Sequence, residues 1–428
     1  MDSEKTADEL FYVSVSTCAQ PIAVASEVSL QDYKQDLPLQ VYIVNDPSEL
    51  SNLAESESPV PRSTILSDFG LAVGNISAYS DVYVAVYAPN IDDTKWYGSW
   101  SAVISISQKS STVSYIEAPF MLSDTDSKSA VFTVQDKAAI DSNTTSYVYT
   151  YDDPSLDSLQ KSYCALSTST NAVSTALDQF VQVQNTTYFE ISDLDPSATY
   201  TIYTVTSMNN TKTISTGVQF TTKSNSNCEL IYGLDFCSEV AYSVPANTSL
   251  FNRTQLGRWY DNQAKSVYQN FIYSLQMIPC NVNEDSRYTI LRTCDDCSSS
   301  YKQWLCATTI PRCGDEGPNS MYLKERVPST SRNTAIDEIL SPGNYSELLP
   351  CSDMCFRIMR DCHSNLGFSC PESGRGLEDS YGVFSTNPEN YTCNFLGSRS
   401  SYYISSVSEV SVNKFLVLSS LMTSFLLF

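Results

Sequence analysis

Fourteen cysteines constrain this chain more than any other feature, and twelve of them lie between Cys228 and Cys393. An even number packed that densely reads as a disulfide framework, and disulfides persist only in oxidising compartments. Zinc knuckles built from the same residues would need tandem CxxC pairs or accompanying histidines. The spacings do not form such pairs, and the chain has a single histidine, His363.

A second feature points the same way. Asn-x-Ser/Thr acceptor sites occur at Asn75, Asn143, Asn185, Asn209, Asn247, Asn252, Asn344 and Asn390. Eight of them spread over the whole length, together with the cysteines, fit a secreted or cell-surface glycoprotein. The first ten residues, MDSEKTADEL, have neither a basic n-region nor an apolar h-region. They are not a signal peptide, and the native precursor is expected to begin upstream. At the other end, Phe415 to Phe428 (FLVLSSLMTSFLLF) is an uncharged run of 14 residues after Lys414. As a helix it would span about 21 Å, short of a hydrocarbon core about 30 Å thick. With the polar stretch Ser400, Ser401, Ser405 and Ser406 in front, it resembles a GPI-attachment signal, with Ser405 as the candidate lipid-anchor site. The alternative is a short helix that dips into the membrane or packs on a partner. No other run is apolar over about 18 residues, so the visible chain predicts no pore-forming helix bundle.

Composition excludes several function classes. Lys and Arg number 25 against 48 Asp and Glu, a net charge of −23. A chain that acidic offers no basic face to a phosphate backbone, so no nucleic-acid partner is expected. One histidine leaves almost nothing for a Ser-His or Cys-His pair, and neither an enzyme nor a cofactor is expected. Acidic clusters such as Asp124-Thr-Asp126 and Asp152-Asp153 lack the glycine and distal glutamate of an EF-hand loop, so no metal site is expected there.

A length of 428 residues allows two to four domains. Residues 1–225 have strand texture, rich in Val, Ile, Thr and Tyr. The runs Phe11–Thr17, Leu39–Val44, Asp81–Tyr87 and Trp100–Ser107 predict a β-sandwich over residues 1–108. A second sandwich is predicted over 109–225, with strands at Ala130–Val134, Ser146–Tyr151, Thr201–Thr206 and Gly217–Thr222. There the order Leu194-x-Pro196-x-x-x-Tyr200 looks like the tyrosine corner of fibronectin type III domains, whose phenol ties back to the preceding loop.

From Cys228 the texture turns helical. Tyr260, Ala264, Val267, Phe271, Leu275 and Ile278 recur at steps of three and four and predict one buried stripe. Cys351, Cys355, Ile358 and Cys362 repeat the step behind Pro350, predicting a helix whose inner face presents three sulfurs. Cys294-Asp-Asp-Cys297 has a redox spacing, but two aspartates between the sulfurs oppose the lowered thiol pKa that such chemistry needs. A mainly helical cysteine-rich domain over 226–396, a polar linker over 397–414 and the hydrophobic tail over 415–428 complete the expected organisation.

Two resemblances sharpen this reading. The run Cys297-x8-Cys306-x6-Cys313, Cys351-x3-Cys355-x6-Cys362 and Phe368-Ser-Cys370-Pro looks like the Frizzled-type cysteine-rich fold. That resemblance implies the pairs Cys228–Cys313, Cys237–Cys306, Cys297–Cys362, Cys351–Cys393 and Cys355–Cys370. Cys280 and Cys294 depart from that pattern and are left for a sixth bond. Nothing in the sequence pairs Cys18 and Cys164. The segments CELIYGLDFCSEVAYSVPAN, SVYQNFIYSLQMIPC, TCDDCSSSYKQWLCATTIPRC and ELLPCSDMCFRIMRDCHSNLGFSCP, with the opening FYVSVSTCAQP, resemble the fungal stretch-activated calcium channel component family, the mating-induced-death proteins. The resemblance implies a non-enzymatic, glycosylated plasma-membrane protein required for calcium influx on stress, mating or stretch. It implies an auxiliary role beside a large four-repeat pore-forming calcium channel subunit. Two further readings stand beside it: a self-sufficient stretch-activated cation channel, and a cell-surface receptor for wall material or lipid.

Overall fold

A computed structural model describes residues 9–23, 37–51, 64–79, 81–91, 94–141, 143–151, 158–169, 173–176, 180–209, 211–279, 292–315, 322–385 and 392–396. The chain divides into two compact units, Met1–Ser226 and Asn227–Phe428. The tail 415–428 with Ser405, the linker 397–414, Cys280 and Asn390 lie outside the described residues.

The first unit is built of sheets that are antiparallel but for one parallel pair, between Val113–Ile116 and Thr211–Ser215. β1 (Glu9–Ala19) runs between β5 (Leu71–Ala78) and β8 (Ser101–Ser107), and β3 (Gln40–Val44) between β4 (Thr64–Leu66) and β6 (Tyr83–Tyr87). Side chains alternate along a strand, which lets Val13 and Val15 of β1 meet Val41 and Ile43 of β3 in one core. A short pair, β2 (Ile22–Ala23) and β7 (Trp96–Tyr97), lies beside them.

A second pair of sheets follows. One orders β10 (Phe120–Thr125), β11 (Ala130–Val134), β15 (Thr186–Ile191) and β14 (Val181–Val183). The other orders β13 (Val173–Ala176), β12 (Thr144–Thr150), β16 (Thr199–Met208), β17 (Thr211–Ser215) and β9 (Val113–Ile116), with β18 (Val218–Thr221) also on β16. Four phenylalanines fill the space between: Phe132 stacks on Phe189 at 5.0 Å and meets Phe120 and Phe220 edge-on. Offset-stacked and edge-on pairs suit the ring quadrupoles, so this core is fixed by shape as well as by burial. The corner forms as its spacing predicts. The amide of Asp195 donates to the Tyr200 phenol oxygen at 2.9 Å, and Tyr200 is buried against Phe220.

The sequence left unpaired the bond that ties these sheets together. Cys18 of β1 is joined to Cys164 of the short helix α2 (Tyr163–Thr168), 146 residues away. The Ser162 hydroxyl caps α2 and donates to the Thr17 carbonyl, and the Lys161 amide donates to Phe69 O. Leu71 of β5 enters the cluster formed by Val113, Tyr149, Leu166 and Ile214. Asp124 and Asp126 are used internally. Lys223 Nζ donates to Asp124 and to Thr125 O, while Asp126 accepts from the Lys128 and Ser129 amides.

The second unit differs from the mainly helical expectation. It has three longer helices, α3 (Arg253–Leu275), α4 (Cys294–Thr309) and α5 (Ser352–Asp361). It also holds a hairpin of β19 (Cys228–Ile231) and β20 (Tyr242–Pro245), and a sheet of β21 (Arg312–Gly314), β23 (Tyr345–Leu348) and β22 (Leu323–Arg326). The strands are three or four residues long, too short for an alternation to register in the sequence. Capping boxes start two helices, Asn252 with Gln255 at α3 and Thr293 with Asp296 at α4. The stripe on α3 buries Tyr260, Ala264, Phe271 and Leu275, whereas Val267 is 41% exposed. Val267 lies at one edge of the stripe, and the inner face is centred on its other side, where Asp261 is buried and Tyr268 packs on the core. No helix among the described residues is long and apolar enough to cross a membrane.

Tyr200→Phe removes the hydrogen bond that the buried phenol accepts from the Asp195 amide. It is expected to cost about 1–2 kcal/mol, read by urea unfolding of the parent and variant; equal midpoints would mean the corner contributes nothing.

Candidate functional site

The chemistry-bearing residues of the second unit are its sulfurs and three buried carboxylates. The structure joins Cys228 to Cys313, Cys237 to Cys306, Cys297 to Cys362, Cys351 to Cys393 and Cys355 to Cys370, which is the pairing that the Frizzled-type resemblance implies. Cys294 is disulfide-bonded as well. Cys297 bonds Cys362 and not its CxxC neighbour, so no CxxC disulfide exists for redox cycling. His363 faces no thiolate; its Nδ1 accepts from the Asn365 amide and caps the turn Ser364–Leu366.

Each bond holds a particular pair of elements. Cys228–Cys313 ties β19 to β21, Cys237–Cys306 ties the turn before β20 to α4, and Cys297–Cys362 ties α4 to the end of α5. Loops of 65 to 85 residues closed in this way lower the unfolded-chain entropy by about 4–5 kcal/mol each in the chain-entropy account. The C-terminal segment is threaded tightly. Cys351 pairs with Gly382 and Pro350 with Asn394 as parallel bridges. A Cβ on Gly382 would stand 2.7 Å from the Cys393 Cβ and 2.8 Å from Thr392 O, so only glycine lets the Cys351–Cys393 bond close there.

The carboxylates look like surface residues in the sequence and are not. Asp261, one residue past Tyr260 on α3, accepts from the Phe236 amide at 2.9 Å and the Cys237 amide at 2.7 Å, fixing the turn that carries a framework cysteine. Glu347 on β23 is fully buried and accepts from Arg326 Nε at 2.6 Å and Arg332 Nε at 2.9 Å. Arg332 goes on to the Ser380 carbonyl, and Arg326 to Thr330 O. Asp361, next to Cys362, accepts from Arg360 through two nitrogens and from Ser300 of α4, with Arg292 3.2 Å away. Burial alone would raise its pKa. The hydrogen bonds from Arg360 and Ser300, with the charges of Arg360 and Arg292, outweigh that and hold it below the usual carboxylate value.

The framework leaves apolar side chains outside. On α5, Phe356 and Met359 are each 48% exposed beside Arg360; Tyr273 on α3 and Met277 just past its end are exposed as well. Seven acceptor asparagines are described. Asn75, Asn143, Asn185, Asn209, Asn252 and Asn344 are exposed and Asn247 is half-buried, so none is shut inside a core.

A family model for a stretch-activated Ca2+-permeable channel component, Mid1, matches residues 10–399. The chain belongs to this channel-component family. It is a family of ion-transport proteins and not of enzymes. The chain is 36% identical over 402 residues to the stretch-activated cation channel yam8 of Schizosaccharomyces pombe, covering 84% of this chain and 78% of that one. It is 30% identical over 464 residues to the stretch-activated cation channel MID1 of Saccharomyces cerevisiae, covering 92% of this chain and 81% of the relative. Among solved structures, the FN1–FN3 domains of chicken CNTN1 match at 12% identity over 46% of this chain and 60% of that one, with a TM-score of 0.19, too low to bear on the fold.

Two outcomes test the polar half of this framework in the family member at hand. Glu347→Ala strands two arginines that are 11% and 19% exposed, and is expected to cost about 3–5 kcal/mol in urea unfolding; a loss below about 1 kcal/mol would show the cluster to be dispensable. Burial pushes the Tyr345 phenol from 10.0 up to about 12, with the Glu347 charge adding to it and the Ser331 hydrogen bond opposing. A raised folded value means stability present below the unfolded value of 10.0 and lost as pH rises through about 12. Urea midpoints across that window are expected to fall less in Tyr345→Phe than in the parent, and equal slopes would contradict the shift.

Proposed function

We propose that the chain is an extracellular auxiliary subunit of a fungal plasma-membrane calcium influx channel. In this reading the cysteine-rich unit packs on the outer loops of a large four-repeat pore-forming subunit, and a C-terminal tail or lipid anchor keeps it at membrane height. The observation that carries the reading is the crosslinked second unit, stiff in its core and apolar in patches outside, in a family of channel components. A rigid cap can stabilise one pore conformation over another by the difference in its affinity for the two. Flexible loops in its place would lose that difference to the entropy of ordering them.

The names of the yeast relatives favour a second reading, a self-sufficient stretch-activated cation channel. Reconstitution separates the two. The purified glycosylated protein alone is expected to pass no cation current in a planar bilayer, and to be recovered crosslinked to the pore subunit from cells. Current from the chain alone would overturn the auxiliary role. Within the same assay Cys355→Ser, which opens the bond to Cys370 on α5, is expected to lower calcium uptake by tenfold or so, and unchanged uptake would remove the framework from the mechanism.

A further inference from the structure

The first unit holds a groove of about 850 Å³ between the segment after β8, the turn at Ala138–Ala139 and the β16–β17 hairpin. Six hydroxyl residues line it: Ser107, Thr112, Thr206 and Thr213 are engaged with neighbouring protein groups, whereas the Ser110 and Thr211 hydroxyls make no bond among the described residues; Lys109 is the charged residue of the lining, and Met208 with the two alanines is the apolar part. In a chain with 48 Asp and Glu, no carboxylate lines it. That surface suits a polyhydroxyl ligand, whose oxygens meet Lys109 and the Ser110 and Thr211 hydroxyls and whose C–H faces lie on the methyl groups.

One lining residue says which ligand. Met208 pairs with Thr211 in the β16–β17 ladder, which places Asn209 at the start of the hairpin connection. Asn209 holds φ 47°, a left-handed value that asparagine tolerates. It is exposed, it opens the acceptor sequence Asn209-Asn210-Thr211, and its side chain lines the groove. Among the described residues its amide makes no hydrogen bond, so the nitrogen that a glycan would use is free. Other acceptor asparagines are engaged: Asn247 Nδ2 donates to the Ser341 carbonyl at 3.3 Å, and Asn143 Nδ2 to Asp141 at 3.5 Å.

We propose that this groove is a saccharide site filled by the chain's own N-linked glycan on Asn209. The proposal rests on the extracellular reading above. Tethering decides the occupant, because a sugar attached at the rim has an effective concentration in the millimolar range and displaces free saccharides of similar chemistry. Ser107 ends a strand of the first pair of sheets and Thr206 and Thr213 belong to the second, so a seated glycan touches both.

Asn185 supplies an internal control. It lies in a two-residue hairpin turn, between Val183 and Thr186, is exposed, and does not line the groove. The full chain secreted from a fungal host would be digested with an endoglycosidase, native and after denaturation, and each glycopeptide quantified by mass spectrometry. Native release at Asn209 is expected to be about ten-fold slower than at Asn185 or Asn75, and equal after denaturation. Ala138→Trp, which fills the groove from an exposed position, is expected to abolish the difference. Equal native rates in the parent, or an unmodified Asn209 beside modified Asn75 and Asn185, would overturn this proposal alone. No glycan at any site would overturn the extracellular reading with it.

Discussion

The bond between Cys297 and Cys362 joins the inner face of α4 to the C-terminal end of α5, and much of the second unit's order is arranged round it. Phe271 and Leu275 of α3, Tyr301 and Leu305 of α4 and Ile358 of α5 form one cluster with Cys297. Phe271 stacks on Tyr301 at 3.8 Å there. Asp361, one residue before the bonded sulfur, is held to Ser300 on α4. Covalent, apolar and polar links therefore span the same helix pair. Burying a carboxylate is costly unless it is paired and hydrogen-bonded. Asp261, Glu347 and Asp361 each meet that condition with two or more donors, and each sits beside a framework cysteine. The reduced chain would keep the charges and lose the geometry that pairs them.

Rigidity of this kind bears on how a channel component acts. No helix described here is long and apolar enough to cross a membrane, and in the proposed auxiliary role the chain would act on a pore through the surfaces it presents. The half-exposed Phe356 and Met359 stand on the helix whose inner face is fixed by Cys351, Cys355 and the end-cap Cys362. Such residues can present one arrangement to a partner, since the helix behind them cannot roll without breaking bonds. The first unit applies the same device once, at Cys18–Cys164, and otherwise depends on its phenylalanine core and on hydroxyl pairs such as Ser14 with Thr112.

What could be read in the sequence follows from the range of each signal. The Tyr200 corner was legible because its partner is five residues away. The strands of the first unit were legible because runs of five or more alternate. Helix α5 was legible because cysteines at three- and four-residue steps cannot all face water in a crosslinked domain. The strands β19–β23 were not, being too short to alternate. Val267 was misplaced because it lies at the edge of its stripe, away from the side where Asp261 and Tyr268 turn inward. The Cys18–Cys164 bond joins positions 146 residues apart, and a lone cysteine in each sandwich carries no spacing to interpret. Asp261 and Glu347 left no signal either: their partners are backbone amides and arginines distant in sequence, and burial of a charged residue is visible only once the chain has folded.

Peptide mapping of the secreted protein without reduction tests the central claim most directly. The account predicts crosslinked peptides containing Cys228 with Cys313, Cys237 with Cys306, Cys297 with Cys362, Cys351 with Cys393 and Cys355 with Cys370, and no alkylatable thiol in the folded state. Free thiols at these positions, or a stable fold with the sulfurs paired otherwise, would contradict it.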